Sequence, residues 1–520
     1  MTFTAWYYPF FLILIAVVYW NIPHKARLVL LLISSYFFYA YWDSRFLSLI
    51  MASTVMDFIF GRAIEGKKTK YSVVIQLSLL PFLWLLCCQT LLQNASISDD
   101  IVIVSFCAAI LFICTYAITW KISKNREKIF YVITLLYNLG LLGFFKYFNF
   151  FAEQAKILME SAGFQTNELA LQIMLPIGIS FYTFQSISYA TDIYRKKEQA
   201  CSDLLLFATF ISFFPQLVAG PIQRTHQLLP QLKTKIAFTN LNLEAGIRLI
   251  IVGYFKKIFV GDNCAIIANY FFSGSSEINT GWILLGSLAF AFQIYGDFSG
   301  YTDIARGSAR ILGIEISNNF KFPYLAVNPS DFWKRWHVSL STWIRDYIYI
   351  PIGGGKGSKI KTVRNLFIAM LLAGLWHGAA WNFILWGAYH ATLITSYRSF
   401  KFLNNSDSAV GYSRFFYITA MFFFTLLGWL IFRSPDITFL ALALSNILHY
   451  QNSFTAIKPF FWTILHITPL IILQFATRKF QDEAMLSHRK EKWQVIDLLV
   501  MILLIGSSTS RNQEFIYFQF

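Results

Sequence analysis

The residue with the clearest capacity for chemistry is His377, in the run Leu375-Trp376-His377-Gly378-Ala379-Ala380-Trp381-Asn382. It stands thirteen residues beyond Arg364, and every residue between them is uncharged. An imidazole in such surroundings stays neutral near pH 7, so it can take the proton of a hydroxyl and later return it. The competing reading is a structural histidine bonded to a neighbouring carbonyl. His337 follows Trp336 forty residues earlier. Alone it reads as an ordinary interfacial residue; with His377 it could line a single path. His390 comes thirteen residues after His377, which rules out the i, i+4 histidine pair of an HExxH zinc helix. No metal site is expected. Asp297, in Gln293-Ile294-Tyr295-Gly296-Asp297-Phe298-Ser299-Gly300, either orients an imidazole or caps a helix turn near Ser299 and Tyr301, capping being the simpler reading. Asp57 and Asp192 close apolar runs and are expected at the membrane interface. No GxSxG elbow and no Cys–His pairing appears, so a self-acylating nucleophile has no support in the sequence.

The elements that hold these residues follow from composition. Of 520 residues, 56% are hydrophobic, 18% aromatic and only 13% charged. A soluble chain carries about a quarter charged residues. Apolar runs of roughly 20 residues recur from end to end, each able to cross ~30 Å of hydrocarbon as a helix. The expected fold is therefore an all-α polytopic membrane protein. A net charge of +16 would suggest nucleic acid in a soluble protein. Here the basic residues sit in short loops between apolar runs, as cytoplasmic loops require, and no nucleic-acid partner is expected. The six cysteines show neither CxxC nor zinc spacing and read as small buried side chains. The first apolar run lacks a basic leader and a small-residue cleavage site, so it is expected to remain as a helix.

Loop charge gives a topology. Runs near 5–22, 28–42, 46–61, 71–93, 101–120, 129–151 and 171–193 alternate between basic loops and loops that are neutral or acidic, the latter including Glu153, Glu160 and Glu168. The N-terminus is accordingly predicted outside the cytoplasm. The run 204–219 breaks the alternation, being basic on both sides, and it contains Pro215. A re-entrant segment satisfies both facts, since irregular backbone at membrane depth survives where protein or water surrounds it. Between Lys321 and Arg364 charge becomes dense, and Trp333, Trp336, Leu340, Trp343 and Tyr347 fall at helical spacing. That pattern predicts one interfacial helix. The glycine run 353–357 does not match GxxxxGK[ST] and reads as a turn. Further runs near 365–380, 381–397, 415–432, 459–475 and 493–507 bring the expected total to roughly eleven to fourteen spans.

Several long motifs, in order, resemble the membrane-bound O-acyltransferase superfamily in its bacterial alginate O-acetylase branch. They are Leu175 to Gln185 (LPIGISFYTFQ), Phe214 to Ile222 (FPQLVAGPI), Gln293 to Asp303, Asp331-Phe332-Trp333-Lys334-Arg335-Trp336-His337 through Pro351, and Gly374 to Ala379 (GLWHGA). The resemblance is clear over residues 141–437 and weak before 140 and near 400–412. It implies a ring of helices around a tunnel, with re-entrant and interfacial helices, and three regions: N-terminal helices 1–140, a catalytic core 141–437 and C-terminal helices 438–520. It implies His377 as the catalytic residue and His337 as its partner. Trp336, Trp376, Asn382, Asp297 and Arg335 are the candidate substrate-binding residues. Trp376 and Asn382 are candidates for oxyanion stabilisation only by their nearness to His377.

The implied activity is movement of an acetyl group from cytosolic acetyl-CoA, a substrate rather than a bound cofactor, to hydroxyls of an exported polysaccharide. Transfer is direct or passes through a periplasmic acetyltransferase partner, and the chain sits among the lipids of the bacterial inner membrane. The basic stretch from Lys334 to Arg364 suits the phosphates of the donor. Two alternatives are D-alanyl transfer from a carrier protein to teichoic acid, which needs the same histidines, and a glycan or lipid transporter without chemistry. The transporter reading is opposed by the lack of an internal repeat and of a nucleotide fold, and by few paired charges within the helices.

Overall fold

The computed structural model describes residues 1–90, 97–166, 173–218, 220–400, 406, 409–450, 457–477, 491–508 and 515–516. Glu168 and Ala219, used above, lie outside the described residues, as does most of 400–412. Two compact units divide the chain: Met1–Leu243 with Ala309–Ile316, and Glu244–Ser308 with Ser317–Phe520.

The first unit contains α1 (Tyr8–Asn21), α2 (His24–Ala40), α3 (Ser44–Ile64), α4 (Tyr71–Ser78), α5 (Leu80–Thr90), α6 (Asp99–Ile122), α7 (Arg126–Ser161), α8 (Ile179–Tyr194), α9 (Leu204–Ser212), α10 (Phe214–Leu217) and α11 (Thr225–Lys233). Local chemistry sets the ends: Asp43 caps α3 by accepting from the Arg45 amide at 2.9 Å, and Asp203 caps α9 in the same way. The run 204–219 is not one straight helix. It breaks at Phe213, one residue before the helix that carries Pro215. Gly178 sits at φ 78 where a side chain would meet the Leu217 carbonyl oxygen, so this glycine brings the LPIGISFYTFQ and FPQLVAGPI motifs together. Asp57 lies inside this unit rather than on its rim. Its carboxylate accepts from Ser53 at 3.2 Å and from the Asn138 amide at 3.0 Å.

The second unit begins within α12 (Asn240–Tyr254), which runs through a π-helical stretch at Phe255–Gly261 into α13 (Asp262–Phe272). Then come α14 (Thr280–Ile311), whose last turn belongs to the first unit, α15 (Pro329–Arg335), α16 (Val338–Ile344), α17 (Lys359–His377) and α18 (Trp381–Ser399). The remaining helices are α19 (Gly411–Arg433), α20 (Ile437–Leu448), α21 (Ile457–Thr477) and α22 (Glu491–Ser507). Asn328 and Ser358 cap α15 and α17.

Six helices among the described residues are long and apolar enough to cross a membrane: α3, α4 with α5 counted together, α6, α7, α19 and α21. The protein is a multi-pass, all-α membrane protein. The other apolar runs also fold as helices, but they are shorter or carry more polar side chains. In α8 every residue from Ile179 to Ile193 is buried, among them Ser, Thr, Gln and Tyr, so protein rather than lipid surrounds it.

Candidate functional site

His377 is the last residue of α17, and Gly378 follows in extended backbone at φ −169°. The apolar stretch therefore places the imidazole at a helix end, not deep within a helix as hydropathy suggests. It is buried, with ring centroids 4.9 Å from Trp376, 5.1 Å from Trp386 and 5.3 Å from Phe432. Asn382, on the next helix, donates its amide to the carbonyls of Phe432 at 2.8 Å and Ser434 at 3.3 Å. Those bonds tie the start of α18 to the end of α19 and fix the wall behind His377.

The expected single helix through Trp333 to Tyr347 is divided instead. The division falls at Trp336-His337, and His337 adopts φ 43°, ψ 56° between α15 and α16. A non-glycine residue in this left-handed region costs of order 1–3 kcal/mol and needs support. Asn319 supplies it: its carbonyl accepts from the Val338 amide at 3.0 Å and its side chain from the Ser339 amide at 3.2 Å. Arg335 reinforces the turn, donating to Asp331 at 2.8 Å and to the Lys321 carbonyl at 3.1 Å. Trp336 is 1% exposed and packs on Phe320, Phe332 and Trp429. Spacing alone could not show the division, because the aromatic pattern continues across it.

The break turns the His337 ring into the interior, where it is fully buried with Phe298 at 4.7 Å and Trp376 at 5.7 Å. Burial lowers its pKa from the usual 6.5 to about 3, so it is neutral at physiological pH. Trp376 thus touches both imidazoles, and the geometry brings His337, Trp376 and His377 into one aromatic wall. His390 joins this wall through Trp386 at 4.7 Å and Trp333 at 5.1 Å.

Asp297 corrects the capping expectation. It lies in the interior of α14 and pairs with Lys257 at 2.6 Å, while its other oxygen accepts the Ile516 amide at 2.6 Å. Lys257 also reaches Asp262 at 2.7 Å, and the adjacent Lys256 pairs with Asp303 at 2.6 Å, which Arg306 meets at 3.1 Å. The Lys256, Lys257, Asp262, Asp297 and Asp303 side chains are at most 5% exposed. The expectation of few paired charges inside the helices is therefore wrong. Sequence missed this network because its partners lie up to 47 residues apart and share no motif. The one available signal was the run Phe255-Lys256-Lys257-Ile258, two cations in an otherwise apolar segment. The π-helical stretch aims both lysines at α14, and small residues permit close approach: a side chain at Gly253 or Gly300 would meet the other's carbonyl oxygen.

Among the described residues no group of three His, Cys, Asp or Glu side chains comes together as metal ligands. Lys334, Arg345, Lys356, Lys359, Lys361 and Arg364 are all exposed.

A sequence model of the membrane-bound O-acyltransferase family matches residues 198–433, which include both histidines. The chain is 35% identical to a probable alginate O-acetylase AlgI of Azotobacter vinelandii, over 82% of this chain and 74% of that protein. It is 34% identical to a peptidoglycan O-acetyltransferase of Helicobacter pylori, over 55% of this chain and 59% of the relative. Similarity to a teichoic acid D-alanyltransferase of Bacillus subtilis is 33% over 49% of this chain and 68% of that protein. With its motifs, its membrane helices and these relatives, the chain belongs to the membrane-bound O-acyltransferase family, in the alginate O-acetylase-like branch.

Proposed function

We propose that this protein moves an acetyl group from cytosolic acetyl-CoA to hydroxyls of a polysaccharide on the other side of the bacterial inner membrane. The observation that carries this reading is the shared wall of His337, Trp376 and His377 within the family-matched region. His377 acts as general base. It takes the proton of the acceptor hydroxyl as that oxygen attacks the thioester carbonyl. The tetrahedral intermediate then collapses, the carbon–sulfur bond breaks, and the leaving CoA thiolate takes the proton back from the imidazolium. His337 and Trp376 hold the base in place, and neither they nor the thioester require a bound cofactor.

The exposed basic residues from Lys334 to Arg364 receive the phosphates of the donor, and the pantetheine arm carries the thioester inward through a tunnel. Residues 141–437 form the catalytic core in this reading, flanked by helices 1–140 and 438–520. Asp297 and Arg335 act by fixing α14 and the turn at His337. Asn382 acts by fixing α18, because its donors are already engaged. Trp336 lines the site. Transfer runs directly to the polysaccharide or by hand-over to a periplasmic acetyltransferase partner.

D-alanyl transfer to teichoic acid is the second reading, favoured by the similarity to the Bacillus subtilis D-alanyltransferase. One experiment addresses both. Cells lacking the gene are complemented with wild type or His377→Ala, and surface glycans are analysed by mass spectrometry. Acetyl esters should return with wild type and not with the variant at equal protein level. D-alanyl esters in their place would establish the second reading, and ester restoration by the variant would overturn both.

A further inference from the structure

The first unit holds a cavity of about 260 Å³ among four wall elements, α3, α4 with α5, α6 and α7. Val55 and Met56 line it from α3, Pro81 from α5, Ala109 and Phe112 from α6, and Tyr137 from α7. The space has a local cause. The helix pair α4 and α5 is interrupted between Ser78 and Leu80, beside Pro81, and the facing positions of α6 carry small side chains. Ser78, Ser105 and Thr115 also line the cavity, the Ser78 hydroxyl turned back onto the Val74 carbonyl at 2.6 Å.

What fills this space follows from where it opens. All four wall elements are long and apolar enough to cross a membrane. Ala108 and Leu111 line the cavity and are also exposed on the outer face of α6, Leu111 to 68%. The cavity is thus continuous with the surface that the bilayer covers. Ten of the fourteen lining residues are apolar, and an empty, mostly apolar space forfeits contact along its walls. At about 260 Å³ the cavity exceeds the ~150 Å³ apolar cavity that admits a benzene-sized ligand, so it has room for a stretch of acyl chain. We propose that it is the binding site of one acyl chain of a bilayer phospholipid, which completes the packing of α6 against α3 and α7. Only 17% of the apolar window of α6 is buried by protein, so this helix has the most to gain from such an occupant. The proposal is independent of the acyl-transfer reading.

The test is made on the full chain, in nanodiscs of phosphatidylethanolamine and phosphatidylglycerol and after release into mild detergent. Native mass spectrometry should find one phospholipid retained per wild-type chain. Ala109→Phe, which fills the cavity, should reduce that occupancy to near zero, whereas Ala109→Gly retains it. A second measurement needs no variant: a phospholipid with a diazirine in its acyl chain should label wild-type α6 chiefly at 108–112. Uniform labelling along the outer face of α6 would overturn the proposal, as would a folded Ala109→Phe protein that keeps its lipid.

Discussion

Trp376 packs against both imidazoles, at 4.9 Å from His377 and 5.7 Å from His337, so it determines how the two rings face any reacting atoms. Trp376→Ala should lower turnover about 10²-fold, the scale of a 1 Å misplacement of a catalytic group, while Trp376→Phe retains most of the rate. Steady-state assay of the two variants at equal protein level makes the comparison. His337 supplies a pH prediction. Folded, it is held neutral down to about pH 3; unfolded, it titrates near 6.5. Between those values the unfolded chain binds more protons, so stability falls as pH drops below about 6.5. Melting temperatures at pH 8 and pH 5 should differ more in wild type than in His337→Asn. At this scale the sequence singled out His377 and His337 but not the backbone settings in which they stand. The helix end at His377 and the left-handed backbone at His337 arise from Gly378 and from the distant Asn319, neither of which periodicity registers.

Among the elements, the contact of the lysine-bearing π-helical stretch with α14 is the most demanding to build. Lys257 serves two buried carboxylates, so Lys257→Met leaves both Asp262 and Asp297 without their cation. Breaking a buried pair from one side costs about 3–5 kcal/mol, and this change should be more harmful than Asp262→Asn, which leaves the Lys257–Asp297 pair intact. Thermal unfolding in detergent ranks the two. Gly178→Ala gives a second test in the first unit: its positive φ and the nearby Leu217 carbonyl both oppose a side chain, so the yield of folded protein should fall sharply. Helix positions were largely legible because apolar runs and caps are local. The divided helix at Trp336-His337 was not, since aromatic spacing persists through the turn. The role of Asp297 was hidden as well, because its partner lies forty residues away on another helix.

For the whole molecule, membrane embedding was plain in the composition, and the order of the motifs identified the family before any geometry. The buried polar helices were less legible. In α8 and α14, protein replaces lipid as the surroundings, and hydropathy alone cannot tell the two apart. The charge pattern makes one further prediction. A cysteine placed at Lys67 should react with an impermeant maleimide only after the inner membrane is opened, whereas one at Asp99 should react in spheroplasts with that membrane intact. The most direct test of the central claim uses purified protein in vesicles with acetyl-CoA and a polysaccharide acceptor, following release of the CoA thiol. Wild type should release thiol in step with acceptor acetylation, and His377→Gln should lose about 10²–10⁴-fold of that rate with donor binding unchanged. A His377→Gln protein that turns over at the wild-type rate would contradict the account.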